Sequence, residues 1–301
     1  MNELKLRVAT RKSALAMAQT TLVAEAIAAA NPGLTYELVS MTTEGDRRLD
    51  KSLASFGGKG VFIKELEVAL LEGRADIAVH SLKDMPAEVL PEFKLAAVLK
   101  REDPRDAFIA RGGVDGIKFM DLPAGARVGT GSIRRVVQLK ALRPDLEYVP
   151  IRGNIQTRLS KLAELDAVVL AAAGLKRMGL EDRIGRYLEV DEVIPSAAQG
   201  VLAIQGRVDA RPELFDGFAD AETALAVAAE RAFVARLDGG CSSPIAAHAQ
   251  VEGDDLRLTG LYYDEETQQA RTGSVQGVAN DGVALAQFLA DRLLSGEGAA
   301  L

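Results

Sequence analysis

Lys83 and Asp84 follow directly on an apolar run, in the stretch Ala75–Pro86, ADIAVHSLKDMP. Ile77-Ala78-Val79 has the unbroken apolar character of a strand buried on both faces. His80-Ser81-Leu82 ends that run, and Pro86 prevents the strand from continuing. A cation and an anion are thereby set at the carboxyl edge of a sheet, where open α/β sheets bind their ligands. A carboxylate at that place can be a partner for Lys83, a stabiliser of developing positive charge, or a proton carrier.

Other cations recur at strand ends and helix starts: Arg11, Lys12, Lys59, Arg134, Arg135, Arg152, Arg158 and Arg177. The chain as a whole is acidic, with a formal net charge of −7. That argues against general nucleic-acid binding and for one local positive cleft that takes a multiply charged anion. Guanidinium forks match carboxylate or phosphate through two parallel hydrogen bonds. Neither GxxxxGK[ST] nor GxGxxG occurs, so the usual nucleotide cradles are missing and a polycarboxylate stands beside phosphate as the ligand class. The single cysteine, Cys241, lies in LDGGCSSP, between two glycines and Ser-Ser-Pro. That context reads as an exposed loop, and without an evident histidine partner the thiol suits a covalent anchor better than a turnover nucleophile.

These residues need elements to hold them. LKLRVAT (Leu4–Thr10) reads as a strand, and Arg11-Lys12-Ser13 opens an Ala-rich helix, Ala14–Ala30, stopped by Asn31-Pro32-Gly33. A strand at Tyr36–Met41, a glycine-rich loop LASFGGKG carrying Lys59, and a helical stretch Val61–Glu72 lead into the run at Ile77. The pattern then repeats. Ala126–Thr130 is a strand, Gly131-Ser132-Ile133-Arg134-Arg135 opens a helix through Leu142, and Glu147–Ile151 is a second strand. Arg152-Gly153-Asn154 opens a helix through Glu164, and the buried strand Ala167–Leu170 runs into AAAGLKRMG. Two passes in one order predict two similar α/β domains facing each other over a cleft. REDPR (Arg101–Arg105) is the linker between them, and Val201–Gln205 is a strand that rejoins the first domain. The last part is a small α+β domain: helix Ala221–Leu237, the cysteine loop, a meander from Ala246 to Val275, and helix Val283–Leu294. The expected division is 1–100 with 197–217, 101–196, and 218–301.

Composition fits this reading. With 48% hydrophobic and 26% charged residues the chain is globular, and no run of 18 apolar residues offers a membrane span. MNELKLRVATRKS has no apolar core of a signal peptide, and one cysteine with two histidines disfavours both a disulfide framework and a soft-ligand metal site. The expectation is a cytoplasmic monomer acting on a small molecule, without nucleic acid or membrane.

ATRKSALA, GGKGVFIKELEVALLEGRADIAVHSLKDMP, REDPRDAF, GTGSIRR, RGNIQTRLSKL, AAAGLKRMG and GGCSSP resemble, in order and spacing, the porphobilinogen deaminase (hydroxymethylbilane synthase) family of tetrapyrrole biosynthesis. The resemblance runs from about Leu6 to the final helix. It implies two domains like type II periplasmic binding proteins and a third domain whose cysteine, here Cys241, carries a dipyrromethane cofactor by a thioether. It implies a transferase that deaminates four porphobilinogen molecules, joins them head to tail, and releases hydroxymethylbilane with water. Each pyrrole carries an acetate and a propionate, which accounts for a cleft dense in arginine. By match to the family motifs Asp84 is the catalytic carboxylate, beside the electron-poor cation left when ammonia departs. Arg11, Ser13, Lys83, Thr130, Ser132, Arg134, Arg135, Arg152, Gly153, Arg158, Arg177 and Gln199 are implied as cofactor and substrate contacts, and Lys59 as part of a mobile loop. Two positions depart from the family pattern: Gly131 stands where a serine is common, and Ser242-Ser243 follow the cysteine. A non-catalytic anion-binding protein is the competing class; it leaves Asp84 and Cys241 without a role.

Overall fold

The computed structural model describes residues 4–43, 63–237 and 244–301. Two compact units share them, Met1–Arg101 with Val201–Ala224, and Glu102–Gly200 with Leu225–Leu301. In chain order the elements begin with β1 (Leu4–Arg11), α1 (Ala14–Ala30), β2 (Leu34–Met41), α2 (Lys64–Leu71), β3 (Ile77–Ser81) and β4 (Phe93–Val98). Next come β5 (Asp106–Ala110), β6 (Arg127–Gly129), α3 (Ile133–Leu142), β7 (Glu147–Val149) and α4 (Ile155–Ser160). They are followed by β8 (Ala167–Ala171), α5 (Ala172–Arg177), β9 (Arg186–Leu188) and β10 (Leu202–Arg207). The chain closes with α6 (Ala221–Arg236), β11 (Ala246–Glu252), β12 (Asp255–Asp264), β13 (Gln269–Val278), α7 (Gly282–Leu294) and β14 (Ala299–Ala300).

The sheet of the first unit has the order β2-β1-β3-β10-β4, with β1 parallel to β2 and β3, and β10 antiparallel to β3 and β4. In the second unit β7-β6-β8-β5-β9 repeats that arrangement, β5 taking the reversed position of β10. This is a doubled, mixed α/β architecture. The apolar runs follow from it, because each sheet is covered on both faces. In the first, Val8, Ile77, Val79 and Ile204 pack with Val23 and Ile27 of α1, while Ala9 and Ala78 pack with Leu66 and Leu70 of α2. In the second, Phe108, Val128 and Val169 meet Leu139 of α3, and Ile109, Val168 and Leu170 meet Leu159 and Leu175. A third sheet, β11-β12-β13-β14, is antiparallel, and its apolar face buries Phe233 of α6 with Leu289 and Leu293 of α7. Gly260 of β12 lies against the Phe233 ring, which comes within 2.5 Å of where a Cβ would stand.

Several elements differ from the sequence reading. Strands β4, β5 and β9 are additional, each of three to six residues. The helix expected through Glu164 ends at Ser160, whose hydroxyl donates back to the Thr157 carbonyl at 2.8 Å, and a 3-10 turn, Lys161–Ala163, follows. AAAGLKRMG, into which the buried strand runs, is left unassigned by the sequence reading; most of it forms α5.

Candidate active site

In the first unit, β1 and β3 run parallel with Val8 opposite Ile77 and Ala9 opposite Ala78, so both reach the same edge of the sheet. β1 ends there at Arg11, and α1 starts behind it with Ser13 as its N-cap, the hydroxyl accepting from the Ala16 N–H at 3.4 Å. β3 ends at Ser81 and turns at once into a 3-10 helix, Leu82–Asp84. Leu82 is fully buried and its N–H donates to the Val201 carbonyl at 3.0 Å, while the buried Met85 closes the turn onto the Leu82 carbonyl at 3.1 Å. Lys83 and Asp84, half-buried, lie between these two apolar anchors.

The strand behind the turn is fixed by polar contacts. Ser81 donates to Gln19 of α1 at 3.0 Å. His80 is buried, with Nε2 at 2.9 Å from Gln205 Oε1. The Gln205 amide donates in turn to Glu67 at 2.9 Å, which leaves its oxygen to accept and puts the imidazole proton on Nε2. Burial, aided by the nearby charge of Arg11 and opposed by the Gln205 hydrogen bond, holds the His80 pKa down at about 4. His80 is therefore a neutral prop at neutral pH, and its position two residues before Leu82 makes it part of what orients Asp84.

The second unit builds its edge around a residue that sequence reasoning passed over. Asp106, the first residue of β5, is completely buried. Its Oδ2 accepts from Arg134 Nη2 at 2.7 Å, and its Oδ1 from Arg135 Nη2 at 2.7 Å and Gln199 Nε2 at 2.9 Å. Burial alone would raise this carboxyl, but the two guanidiniums hold it far below the usual carboxylate range. The other fork atoms go to backbone: Arg134 Nη1 to Ile194 O at 2.6 Å, and Arg135 Nη1 to Val169 O at 3.0 Å. Arg134 and Arg135, expected as cations presented to a ligand, are thus 4% and 5% exposed and turned inward onto Asp106. Among the described side chains Arg135 Nε is one of three buried polar atoms without a partner. Gln199 also donates to the Pro104 carbonyl at 2.7 Å. The one sequence signal for Asp106 is an acidic residue opening an otherwise apolar strand, DAFIA.

Thr130, buried, and Ser132, half-buried, form the turn between β6 and α3, with the Ser132 N–H on Thr130 Oγ1 at 3.4 Å. A Cβ on Gly131 would come within 2.5 Å of the Ile151 carbonyl oxygen, so the glycine that departs from the family pattern suits a close backbone approach. Arg152, exposed, precedes Gly153, whose φ of +103° and whose contact with the Thr157 side chain, 2.7 Å from a would-be Cβ, both require glycine. Asn154 caps α4 by accepting from the Thr157 N–H at 2.8 Å, and Arg158 Nε donates to the Gly153 carbonyl at 2.8 Å. Arg177, the last residue of α5, donates to the Gly200 carbonyl at 2.5 Å, and burial lowers its pKa to about 10. It stays charged at neutral pH while partly stripped of water, the state in which a guanidinium gains most from an anion. Lys59 and Cys241 lie outside the described residues.

Comparison with known proteins bears on both units. Residues 6–213 match the family model described as porphobilinogen deaminase, dipyromethane cofactor binding domain, and residues 224–295 match porphobilinogen deaminase, C-terminal domain. Porphobilinogen deaminase from Geobacter sulfurreducens is 47% identical over 298 residues, covering 98% of this chain and 92% of that one. The one from Stenotrophomonas maltophilia is 49% identical, covering 96% of each, and the one from Ruminiclostridium josui 46%, covering 97% and 98%. Among solved structures, a nutrient binding protein from Burkholderia cenocepacia is similar at a TM-score of 0.44 and 13% identity, over 72% of this chain and 93% of that one. Near-half identity over almost the full length, in a chain that matches both models of one family, leads to a single assignment: this chain belongs to the porphobilinogen deaminase family.

Proposed function

We propose that Asp84 is the carboxylate that steadies positive charge in the family's reaction. In that reaction a transferase of tetrapyrrole biosynthesis joins four porphobilinogen molecules head to tail on a dipyrromethane primer and releases hydroxymethylbilane with water. The observation that carries the reading is the anchoring of the Lys83–Asp84 turn between buried Leu82 and buried Met85 at the carboxyl edge of β3. A carboxylate held on a rigid element costs no reorganisation when charge develops beside it. Loss of ammonia from porphobilinogen leaves a cationic pyrrole, and Asp84 opposes that charge while Lys83 and Arg11, at the same edge, attract the acid side chains.

The residues present fit the family's cofactor. Its acetate and propionate groups call for cations, and Arg177 offers a partly desolvated guanidinium, with Arg152 and Arg158 on the turn and helix that Gly153 and Asn154 define. We include Ser13, Thr130, Ser132 and Gln199 as polar contacts, and Arg134 and Arg135 as cations that Asp106 holds in place. When bound, the dipyrromethane supplies the free pyrrole carbon at which growth begins. Cys241, in GGCSSP, is the proposed attachment point, supported by its being the one cysteine of the chain. A monomer working in the cytoplasm, with no nucleic acid or membrane partner, is the reading that the net charge of −7 and the single cysteine favour. No helix among the described residues is long and apolar enough to cross a membrane.

The test is a comparison of Asp84→Asn with Asp84→Glu, each checked by mass for a full load of cofactor. Asn keeps shape and loses charge, so turnover falls on the order of 10²–10³; Glu keeps the charge, displaced by one methylene, and retains more activity. Equal rates for the two loaded variants would return Asp84 to a structural partner of Lys83.

A further inference from the structure

The turn Ala198-Gln199-Gly200 carries more of the second unit's cationic edge than its composition suggests. The Gln199 side chain reaches Asp106, on which Arg134 and Arg135 converge, and the Gly200 carbonyl receives Arg177. Three of the proposed acid-binding cations therefore depend on the backbone path of this one turn. That path is strained. Ala198 has a φ of +60°, one of two non-glycine residues in the left-handed region among those described. For an alanine that conformation is disfavoured on the order of tenfold or more against the right-handed one, and only glycine adopts it freely. Something must hold it.

What holds it comes from α6. Glu230 is completely buried, and its Oε2 accepts the Ala198 N–H at 2.6 Å. Its Oε1 accepts the Ala249 N–H of β11 at 2.7 Å and lies 3.6 Å from His248 Nδ1. Hydrogen bonds to a carboxylate are the stronger kind, and two backbone donors fix this one's direction.

We propose that Glu230 is a positioning residue of the acid-binding edge, holding Ala198 in its left-handed conformation so that Gln199 and the Gly200 carbonyl reach Asp106 and Arg177. This rests on the assignment of Arg134, Arg135, Arg177 and Gln199 to acid binding. It follows that Glu230 serves affinity for a polycarboxylate through Ala198, without touching the ligand.

The experiment is a rescue, read in the KM for porphobilinogen of cofactor-loaded enzyme. Glu230→Gln presents an amide donor to one of the two backbone donors, and KM rises about tenfold. Ala198→Gly removes the need for restraint, so adding it to Glu230→Gln brings KM back to within about threefold of wild type. A residue that acted only by packing would leave a raised KM that glycine does not lower, and that result overturns the proposal; so does an unchanged KM in Glu230→Gln. Should the Gln variant not accumulate, Glu230→Asp, which keeps the charge and shortens its reach, is carried through the same pair with the same expectations. Gln199→Ala separates the acid-binding assignment from the role of Glu230. A KM unchanged by that substitution would overturn the acid-binding assignment itself, whereas a raised KM with no glycine rescue would overturn the role of Glu230 alone.

Discussion

Asp106→Asn is the substitution whose cost the structure states most plainly. Asp106 is completely buried, and the two guanidiniums on it are 4% and 5% exposed. Asparagine preserves volume and one acceptor oxygen. It removes the charge that Arg134 and Arg135 share, and its amide would meet a guanidinium donor head-on at the 2.7 Å position of Arg134. Removing one partner of a buried ion pair costs about 3–5 kcal/mol, because the remaining charge is left desolvated. Against a total stability of roughly 5–15 kcal/mol this is a large loss. With a urea slope of about 2 kcal/mol per molar, the unfolding midpoint followed by far-ultraviolet circular dichroism drops by roughly 2 M. Adding Arg134→Met to Asp106→Asn removes one of the uncompensated charges, so the double variant is less destabilised than the sum of the two single ones, by about 1 kcal/mol or more. The sign with pH follows from the depressed carboxyl. Its contribution is complete above the ordinary aspartate range and is lost only as pH falls through the much lower folded value. An Asn variant within about 1 kcal/mol of wild type, or strict additivity in the cycle, would refute the assignment of Asp106 as the charge that holds this pair.

Two further outcomes follow. His80, held at about 4 by burial, takes up its proton in the unfolded chain before the folded one, so wild-type stability declines as pH falls from about 6.5 toward 4, by at most about 1.4 kcal/mol per pH unit. Urea midpoints at about pH 7 and about pH 5 show this slope, and His80→Gln, which can still donate to Gln205, flattens it. Gly153→Ala is strained by the φ of +103° and by Thr157, and lowers stability by about 1–3 kcal/mol with a rise in KM as Arg152 shifts; a thermal melt and a KM unchanged from wild type would show that the turn yields without cost.

Much of the scaffold is legible in the sequence because both sheets are covered on both faces. The apolar runs IAV and AVVL can be little else, and Ser13 and Asn31 bracket α1 as cap and stop. The reversed strand β5 is not legible in the same way. DAFIA is five residues long and follows a charged linker, and its antiparallel pairing to β8 is decided by the rest of the sheet. The same holds for the arginines. Arg134 and Arg135 are neighbours on a helix, about 100° apart around its axis, and spacing predicts that at least one faces outward. Both turn inward because Asp106, distant in sequence, lies deep enough to accept from each. Glu230 looks like an ordinary polar position of an amphipathic helix, and only the fold brings two backbone donors to it. The turn that carries Lys83 and Asp84 is legible because its signal is local: a buried strand, a break, a charged pair and a proline.

On the function proposed above, this chain builds its product on itself, from a primer bound through Cys241. Intact-protein mass spectrometry under denaturing conditions tests it directly. The wild-type chain is expected to be heavier than its sequence by the fixed increment of a dipyrromethane and, on brief exposure to porphobilinogen, to show a ladder of equal further increments, each one porphobilinogen less ammonia. Cys241→Ser shows neither the primer nor the ladder. A denatured wild-type chain at its bare sequence mass, while the same preparation consumes porphobilinogen, would rule out a covalently held primer.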